Sequence, residues 1–464
     1  MNSRPNLLLV FADQMRGEAM RCAGNQQAHT PALDALAAQG MLFTNAIANC
    51  PVCTPSRASL LTGKYPLGCR TVVNDLALPE DEVTFAGVMG ATGYRTGYVG
   101  KWHLDGISRH KFTPPGRRRH GFDSFWAAYN CTHAYFDTKY YLDTPEIVRV
   151  PDTYEPDVQT DLAIEFLDGY RDEPFCLVVS WGPPHDPYDQ VPDRFRAMYD
   201  PAKLALRPNC PADLGANERR AIADYYAAVT ALDRNFGRLM HALDRRGLAG
   251  NTIVVFTSDH GDMLWSHGRR WKQQPWEECI NIPLVVRWPG GVPAGAKSDS
   301  LIGIADLAPT LLGLAGLAAP DFMEGTDLSH VLPLSRSPRS SRSPRGHPGT
   351  EYESVPIMDL VPVDQAPLWG GQPWRGVRTR RYTYARERER RLVLYDNLRD
   401  PFQMTNLSED PAHASIRDAL EIELQHWLHR LNDPFPTADG CLELLGQADA
   451  FRQRQEHFAA GGNW

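Results

Sequence analysis

Five short apolar runs, at residues 7–11, 97–100, 175–181, 252–257 and 283–288, alternate with stretches of helical periodicity over the first ~320 residues. Runs this short, apolar throughout and bounded by turn residues, are strands buried on both faces. Between them, Thr30-Pro31 opens a helix, with threonine as N-cap and proline at the first helical position. Residues 217–248 form a long amphipathic helix that ends near Gly247 or Gly250. This order predicts an α/β fold, a large and mostly parallel central sheet sandwiched by helices. The 464 residues leave room for a smaller second unit. Residues 333–349, Pro-Leu-Ser-Arg-Ser-Pro-Arg-Ser-Ser-Arg-Ser-Pro-Arg-Gly-His-Pro-Gly, cannot build a core and read as a solvated loop, or as a basic lip for a polyanion. Beyond it, β-like runs at 382–384 and 392–395 precede a helix at about 412–431. The expected organisation is residues 1–332 as a catalytic α/β domain, 333–349 as the loop, and 350–464 as an α+β domain with an antiparallel sheet.

Charge narrows the function. The formal net charge of −8 offers no basic field, which argues against nucleic acid as a partner. An anionic substrate must therefore meet locally placed cations. The first apolar run is too short for a signal peptide or a membrane span. The chain as it stands thus reads as cytoplasmic, or as having lost a leader, with no membrane partner. Nine cysteines, odd in number and irregular in spacing, read as mostly reduced core residues. Cys50 and Cys53 form a Cys-x-x-Cys pair with no second pair at zinc spacing. The sequons at Asn130 and Asn406 read as chance matches.

Two strand ends carry chemistry. The first run leads into Asp13-Gln14 and the fourth into Asp259-His260. Ligands in open α/β sheets sit outside the carboxyl ends of strands, so these residues are a candidate divalent-metal site. The plainer reading of either pair alone is a turn or a helix cap. Residues 53–63 read Cys-Thr-Pro-Ser-Arg-Ala-Ser-Leu-Leu-Thr-Gly. This resembles the type I sulfatase signature, Cys-x-Pro-Ser-Arg-x-x-x-Leu-Thr-Gly, at every fixed position. Gly100-Lys101-Trp102-His103-Leu104, Pro184-His185-Asp186-Pro187-Tyr188, and Ser258-Asp259-His260-Gly261-Asp262 followed by His267-Gly268 and Lys272 resemble further segments of the same family. Leu394-Tyr395-Asp396, Asp400-Pro401 and Asn406-Leu407 resemble its C-terminal region. The order is the family's throughout, with aspartate in place of glutamate at Asp262.

The resemblance implies an alkaline-phosphatase-like fold and a sulfuric ester hydrolase. It implies that a maturase oxidises Cys53 to formylglycine, which supplies the nucleophile at the N-terminus of a helix. It further implies Cys53, Arg57, Lys101, His103, His185 and Lys272 as catalytic residues. In that set His103 is a base, and His185 or Lys272 is the donor to the departing alcohol. Asp13, Gln14, Cys53, Asp259 and His260 would hold one metal. Calcium is the family's metal. Glutamine at 14 and histidine at 260, in place of the aspartate and asparagine some members carry, make manganese the alternative. Asp262 and His267 read as residues that support the site from behind or lie in its loops. The substrate expected is a small or oligomeric sulfated carbohydrate. The aromatic and polar residues of 126–141, with Trp369, Trp374 and Arg375, suit a sugar, and His133, Asp137 and Arg375 are the candidate contacts. The same fold and nucleophile acting on phosphonate monoesters or phosphodiesters is the alternative function.

Overall fold

Two sheets organise the computed structural model, which describes residues 4–332, 354–363, 366 and 370–462. The loop expected at 333–349 and Trp369 lie outside the described residues. The strands of the large sheet are β1 (Asn6–Asp13), β2 (Met41–Ile47), β3 (Arg95–Lys101), β4 (Phe125–Tyr129), β5 (Asp137–Tyr141), β6 (Ile147–Pro151), β7 (Phe175–Pro184), β8 (Thr252–Ser258), β9 (Asn281–Arg287) and β10 (Ala296–Gly303). They lie in the order β10-β2-β9-β8-β1-β7-β3-β4-β5-β6. The middle five, β8 to β4, are parallel. On one side β9 runs antiparallel to both β8 and β2, and on the other β5 and β6 reverse direction. The link between β5 and β6, residues 142–146, is too short for the crossover that a parallel pair needs.

Every residue of β1 is buried, which is why its sequence is apolar without alternation. Successive side chains still point to opposite faces. Leu8, Val10 and Ala12 meet the helices Glu155–Gly169 and Ala216–Arg245. Leu7, Leu9 and Phe11 meet the helices Cys53–Thr62, Phe85–Ala91 and Leu307–Leu314. Each fully buried Leu, Val or Phe contributes roughly 1.5–3 kcal/mol, so this central strand anchors both layers. The helix Pro31–Gln39 begins at its proline as expected, but Thr30 makes no capping bond to it. The hydroxyl of Thr30 instead accepts from the Arg21 amide at 2.9 Å. The cap comes from a distant element: Asp233 of the long helix accepts from the amides of Ala32 and Leu33, at 3.2 and 2.8 Å.

A second, antiparallel sheet contains β11 (Ser354–Asp359), β12 (Trp374–Thr379), β13 (Tyr382–Glu387) and β14 (Arg391–Asp396), in that order. One face, with Val355, Ile357, Ala385 and Val393, packs on Ile47 and Leu301 of the large sheet. The other, with Val377, Tyr384 and Leu394, packs on Leu424 and Trp427 of the helix Ala414–Arg430 and on Cys50, Val52 and Tyr65. The second sheet is thereby built into the wall from which the Cys53 helix starts. All nine cysteines are free. Among the described residues no helix is long and apolar enough to cross a membrane.

Candidate active site

Four elements end at one place. β1 delivers Asp13 and Gln14, β8 delivers Asp259 and His260, β3 ends at Lys101, and the helix Cys53–Thr62 points its first residue at them. These are the carboxyl ends of parallel strands, with β1 sitting where the sheet's connections diverge to either side. Gly100 allows β3 to end here. Its φ is +107°, and a Cβ would lie 2.0 Å from the Ser180 carbonyl oxygen of β7. The Cys53 helix is buried along its whole length and stops at Gly63, whose left-handed φ of +68° glycine adopts without steric cost. The positive end of its dipole faces the cluster and favours an anion there.

Arg57, one turn into that helix, organises the carboxylates. Its Nη2 donates to Asp13 Oδ2 and its Nε to Asp259 Oδ2, both at 2.9 Å. Its Nη1 donates to the Lys101 carbonyl and Ser180 Oγ, both at 2.8 Å. Lys101 Nζ donates to Asp13 Oδ2 at 2.6 Å. With the Oδ2 atoms so occupied, Oδ1 of each aspartate turns the other way. There His260 Nε2 lies 3.6 Å from Asp13 Oδ1 and 3.7 Å from Asp259 Oδ1. Cys53 Sγ is 3.6 Å from Asp13 Oδ1 and 3.2 Å from His260 Nε2. His260 Nδ1 donates to the Gly261 carbonyl at 2.9 Å, which leaves the Nε2 lone pair pointing into the cluster. All four donors lie within 4.8 Å of one another and are fully buried. Two hard oxygens and an imidazole lone pair, oriented by outer hydrogen bonds, fit a divalent cation.

The charges respond to this crowding. Burial opposes charge on the Cys53 thiol, but Lys272, Lys101 and His260 outweigh it and hold the thiol well below its usual range. Burial and the charge of Asp13 push Asp259 up. Asp13 itself stays low, because Lys101, His185 and Arg57 overcome its burial and the neighbouring thiolate.

Lys272 comes from the irregular segment after β8. Its Nζ reaches Cys53 Sγ at 2.9 Å, Gln14 Oε1 at 3.1 Å and His185 Nε2 at 2.9 Å. Gln14 meets the site through Lys272 and through its own amide, which donates to Asp259 Oδ1 at 3.0 Å, while its Nε2 donates to Asp262 Oδ2 at 2.7 Å. His185 Nδ1 donates to the Asp186 carbonyl, which leaves Nε2 to accept from Lys272. His133 stacks on His185 with centroids 4.3 Å apart, and burial beside His185 pushes it down to about 4. His103 follows β3 and donates from Nε2 to Asp75 at 3.0 Å.

The structure thus gathers Asp13, Gln14, Cys53, Arg57, Lys101, His133, His185, Asp259, His260 and Lys272 around one point, with His103 beside them. It does not bring in two of the expected sugar contacts. Arg375 is buried at 1% exposure, pairs with Asp433 at 2.5 Å and donates to the carbonyls of Asp359 and Trp374. A guanidinium spent on internal partners has none left for a sugar. Asp137 of β5 is held by Lys139 on the same strand and by Arg149 on β6, so its charge is likewise taken. Asp262, read as a supporting or loop residue, accepts from Gln14 and from the Tyr188 hydroxyl at 2.6 Å, and so braces the pocket. Asp75 escaped the sequence reading altogether. Nothing in residue type or spacing marks it, since its partners His103 and Arg109 are brought to it only by folding.

The family model described as Sulfatase matches residues 5–317. An ulvan-active sulfatase of Formosa agariphila is 39% identical over 447 residues, covering 95% of this chain and 84% of that protein. The crystal structure of the Bacteroides fragilis sulfatase yidJ superposes with a TM-score of 0.82 at 33% identity, covering 93% of this chain and 97% of that one. A phosphonate monoester hydrolase of Agrobacterium radiobacter shares the fold, with a TM-score of 0.72 at 22% identity over 94% of this chain and 96% of that one.

Proposed function

The chain belongs to the sulfatase family, and from that premise we propose that it hydrolyses sulfate esters on a polyanionic carbohydrate, with Cys53 converted to formylglycine. The observation that carries the reading is the convergence of Cys53 Sγ with the Asp13–Asp259–His260 donors on one side and Lys272 on the other. A sulfate ester is anionic, so a nucleophile approaches it only where its charge is neutralised. Lys101, Arg57 and Lys272 supply that charge from buried positions, where it counts for more than in water. Asp13, Asp259 and His260 would hold the divalent cation, calcium or manganese. Bound there, the cation would add positive charge at the sulfate oxygens, and the oxidised side chain of residue 53 would supply the nucleophilic oxygen.

The chain's own residues divide the proton work. The Lys272 ammonium donates to His185 Nε2, so the pair holds a proton beside Cys53 for the departing alcohol. His103 is the base on the other side. His133, stacked on His185, is the remaining candidate for a sugar contact. The substrate class follows the Formosa agariphila relative, whose name records action on ulvan.

The test is sulfate release from a panel of sulfated saccharides, ulvan fragments among them, by protein coexpressed with a formylglycine-generating maturase. An aryl phosphodiester is assayed alongside. Release from a saccharide, with a slower phosphodiester rate, is expected. Phosphodiester cleavage with no sulfate release would move the assignment to the phosphonate-hydrolase activity.

A further inference from the structure

Asp75 is a buried carboxylate outside the cation cluster, with a left-handed backbone at φ +64°. Its Oδ1 accepts from His103 Nε2 at 3.0 Å and Arg109 Nε at 2.9 Å, and its Oδ2 from Arg109 Nη2 at 3.1 Å. A second arginine comes from the far end of the chain. Arg454, in the helix Ala448–Ala459, donates from Nη2 to Asp75 Oδ2 at 3.2 Å and from Nε to the Asn74 carbonyl at 2.9 Å. Arg454 is 1% exposed, so its charge is paired inside the protein. The same turn grips the residue after Cys53. Asn74 Oδ1 accepts from the Thr54 amide at 3.0 Å, and Thr54 Oγ1 donates to the His103 carbonyl at 3.0 Å. Residues 74 and 75 therefore tie His103, the start of the Cys53 helix and the C-terminal helix into one unit.

The two nitrogens of His103 have unequal surroundings. Nε2 faces the carboxylate, which only accepts hydrogen bonds, so Nε2 carries a proton. Nδ1 is buried and has no hydrogen-bond partner of normal geometry among the described residues. We propose that Asp75 is the positioning residue of His103, holding the proton on Nε2 so that Nδ1 is the atom free to accept one, and that Arg454 locks Asp75 in that task. A carboxylate that fixes an imidazole's tautomer and orientation is a general device wherever histidine acts as a base. The role of His103 as a base rests on the sulfatase reading; the pairing with Asp75 does not.

The test separates the two. Protein labelled with ¹⁵N-histidine and left with Cys53 unconverted gives ring-nitrogen correlation spectra, in which His103 is assigned by its loss in His103→Gln. A protonated Nε2 with a bare Nδ1 is expected in the wild type; a bare Nε2 with the proton on Nδ1, or a ring protonated on both nitrogens, would overturn the proposal. This measurement needs no variant of Asp75 that folds. In Asp75→Asn the amide can donate to Nε2, so the proton is expected to move to Nδ1; an unchanged tautomer overturns the proposal. On the saccharide that the wild type desulfates, Asp75→Asn should lose about 10³- to 10⁴-fold in kcat. KM should stay within about threefold and the metal content should be unchanged, because neither the sulfate cations nor the metal ligands are touched. Arg454→Met should lose about tenfold in the same parameter. Equal loss in kcat and metal content would show a structural role only, and would overturn the assignment. Absence of sulfate release by the wild type would strike the functional reading and leave the spectra to decide Asp75.

Discussion

Arg57 is the residue on which the site's geometry turns. Its planar fork spans two carboxylates that would otherwise repel each other at full burial. A lysine ammonium is a point charge and cannot span both. Arg57→Lys should therefore destabilise the protein by about 3 kcal/mol, since it leaves a buried carboxylate without its partner. Urea unfolding at neutral pH measures this, and a change below about 0.5 kcal/mol would show that the fork does not hold the pair together. At this scale most of the site could be read from the sequence, because the residues stand in short motifs at strand ends. Asp13, Cys53, Arg57, Lys101, His185, Asp259, His260 and Lys272 come together as the motifs implied. Arg375 and Asp137 do not, because an arginine chosen for its chemistry alone says nothing about which carboxylate folding will place beside it. Here that carboxylate is Asp433, 58 residues away.

Among elements, the helices illustrate the limit of local rules. The long helix, expected at 217–248, is found at Ala216–Arg245, where amphipathic spacing over many turns leaves little ambiguity. The helix Pro31–Gln39 starts where its proline predicts, yet its cap is Asp233, some 200 residues away. Burial pushes the Asp233 carboxyl up to about 7, against the pull of the two amides it accepts from. The sign follows from where the proton sits. Between the ordinary aspartate value of 3.8 and about 7, the folded chain binds a proton that the unfolded chain has released. This contribution is therefore complete below pH 4 and is lost as pH rises to 7, by at most about 4 kcal/mol. Asp233→Asn removes the titration. Its stability relative to wild type should rise from pH 4 to pH 7, as followed by chemical denaturation at each pH; parallel pH curves would show that Asp233 is ionised in the fold. Strands were read less completely than helices. The central strands β1, β3, β7 and β8 stood out as apolar runs, whereas β4 to β6 did not, since β6 alternates between exposed and half-buried positions at the sheet's edge.

For the whole molecule, the second sheet and its helix are part of the structure that holds the site. Trp427 of the helix Ala414–Arg430 packs edge-on against Tyr65, at 5.9 Å, just beyond the end of the Cys53 helix. Its indole also donates to Ser354 Oγ of β11 at 2.8 Å. Trp427→Ala should cost about 3–5 kcal/mol. Because the core is continuous from Cys50 to Leu424, both sheets should unfold together. A single calorimetric transition moved to lower temperature is the expected record. Two resolved transitions would show that the C-terminal part folds apart from the rest.

The sequence by itself determined the fold class, the family and the identity of the charged residues that gather around Cys53. Strand periodicity and contiguous motifs are local properties, preserved whatever the rest of the chain does. Only the tertiary structure decided which oxygen of each aspartate faces Cys53 and His260, which nitrogen of His103 is without a hydrogen-bond partner, and which arginines are spent on internal partners. Those depend on atoms brought within 3 or 4 Å from positions as far apart as Asp75 and Arg454, 379 residues along the chain. Hydrogen bonds and ion pairs act at that range, and no pattern within a window of sequence records it.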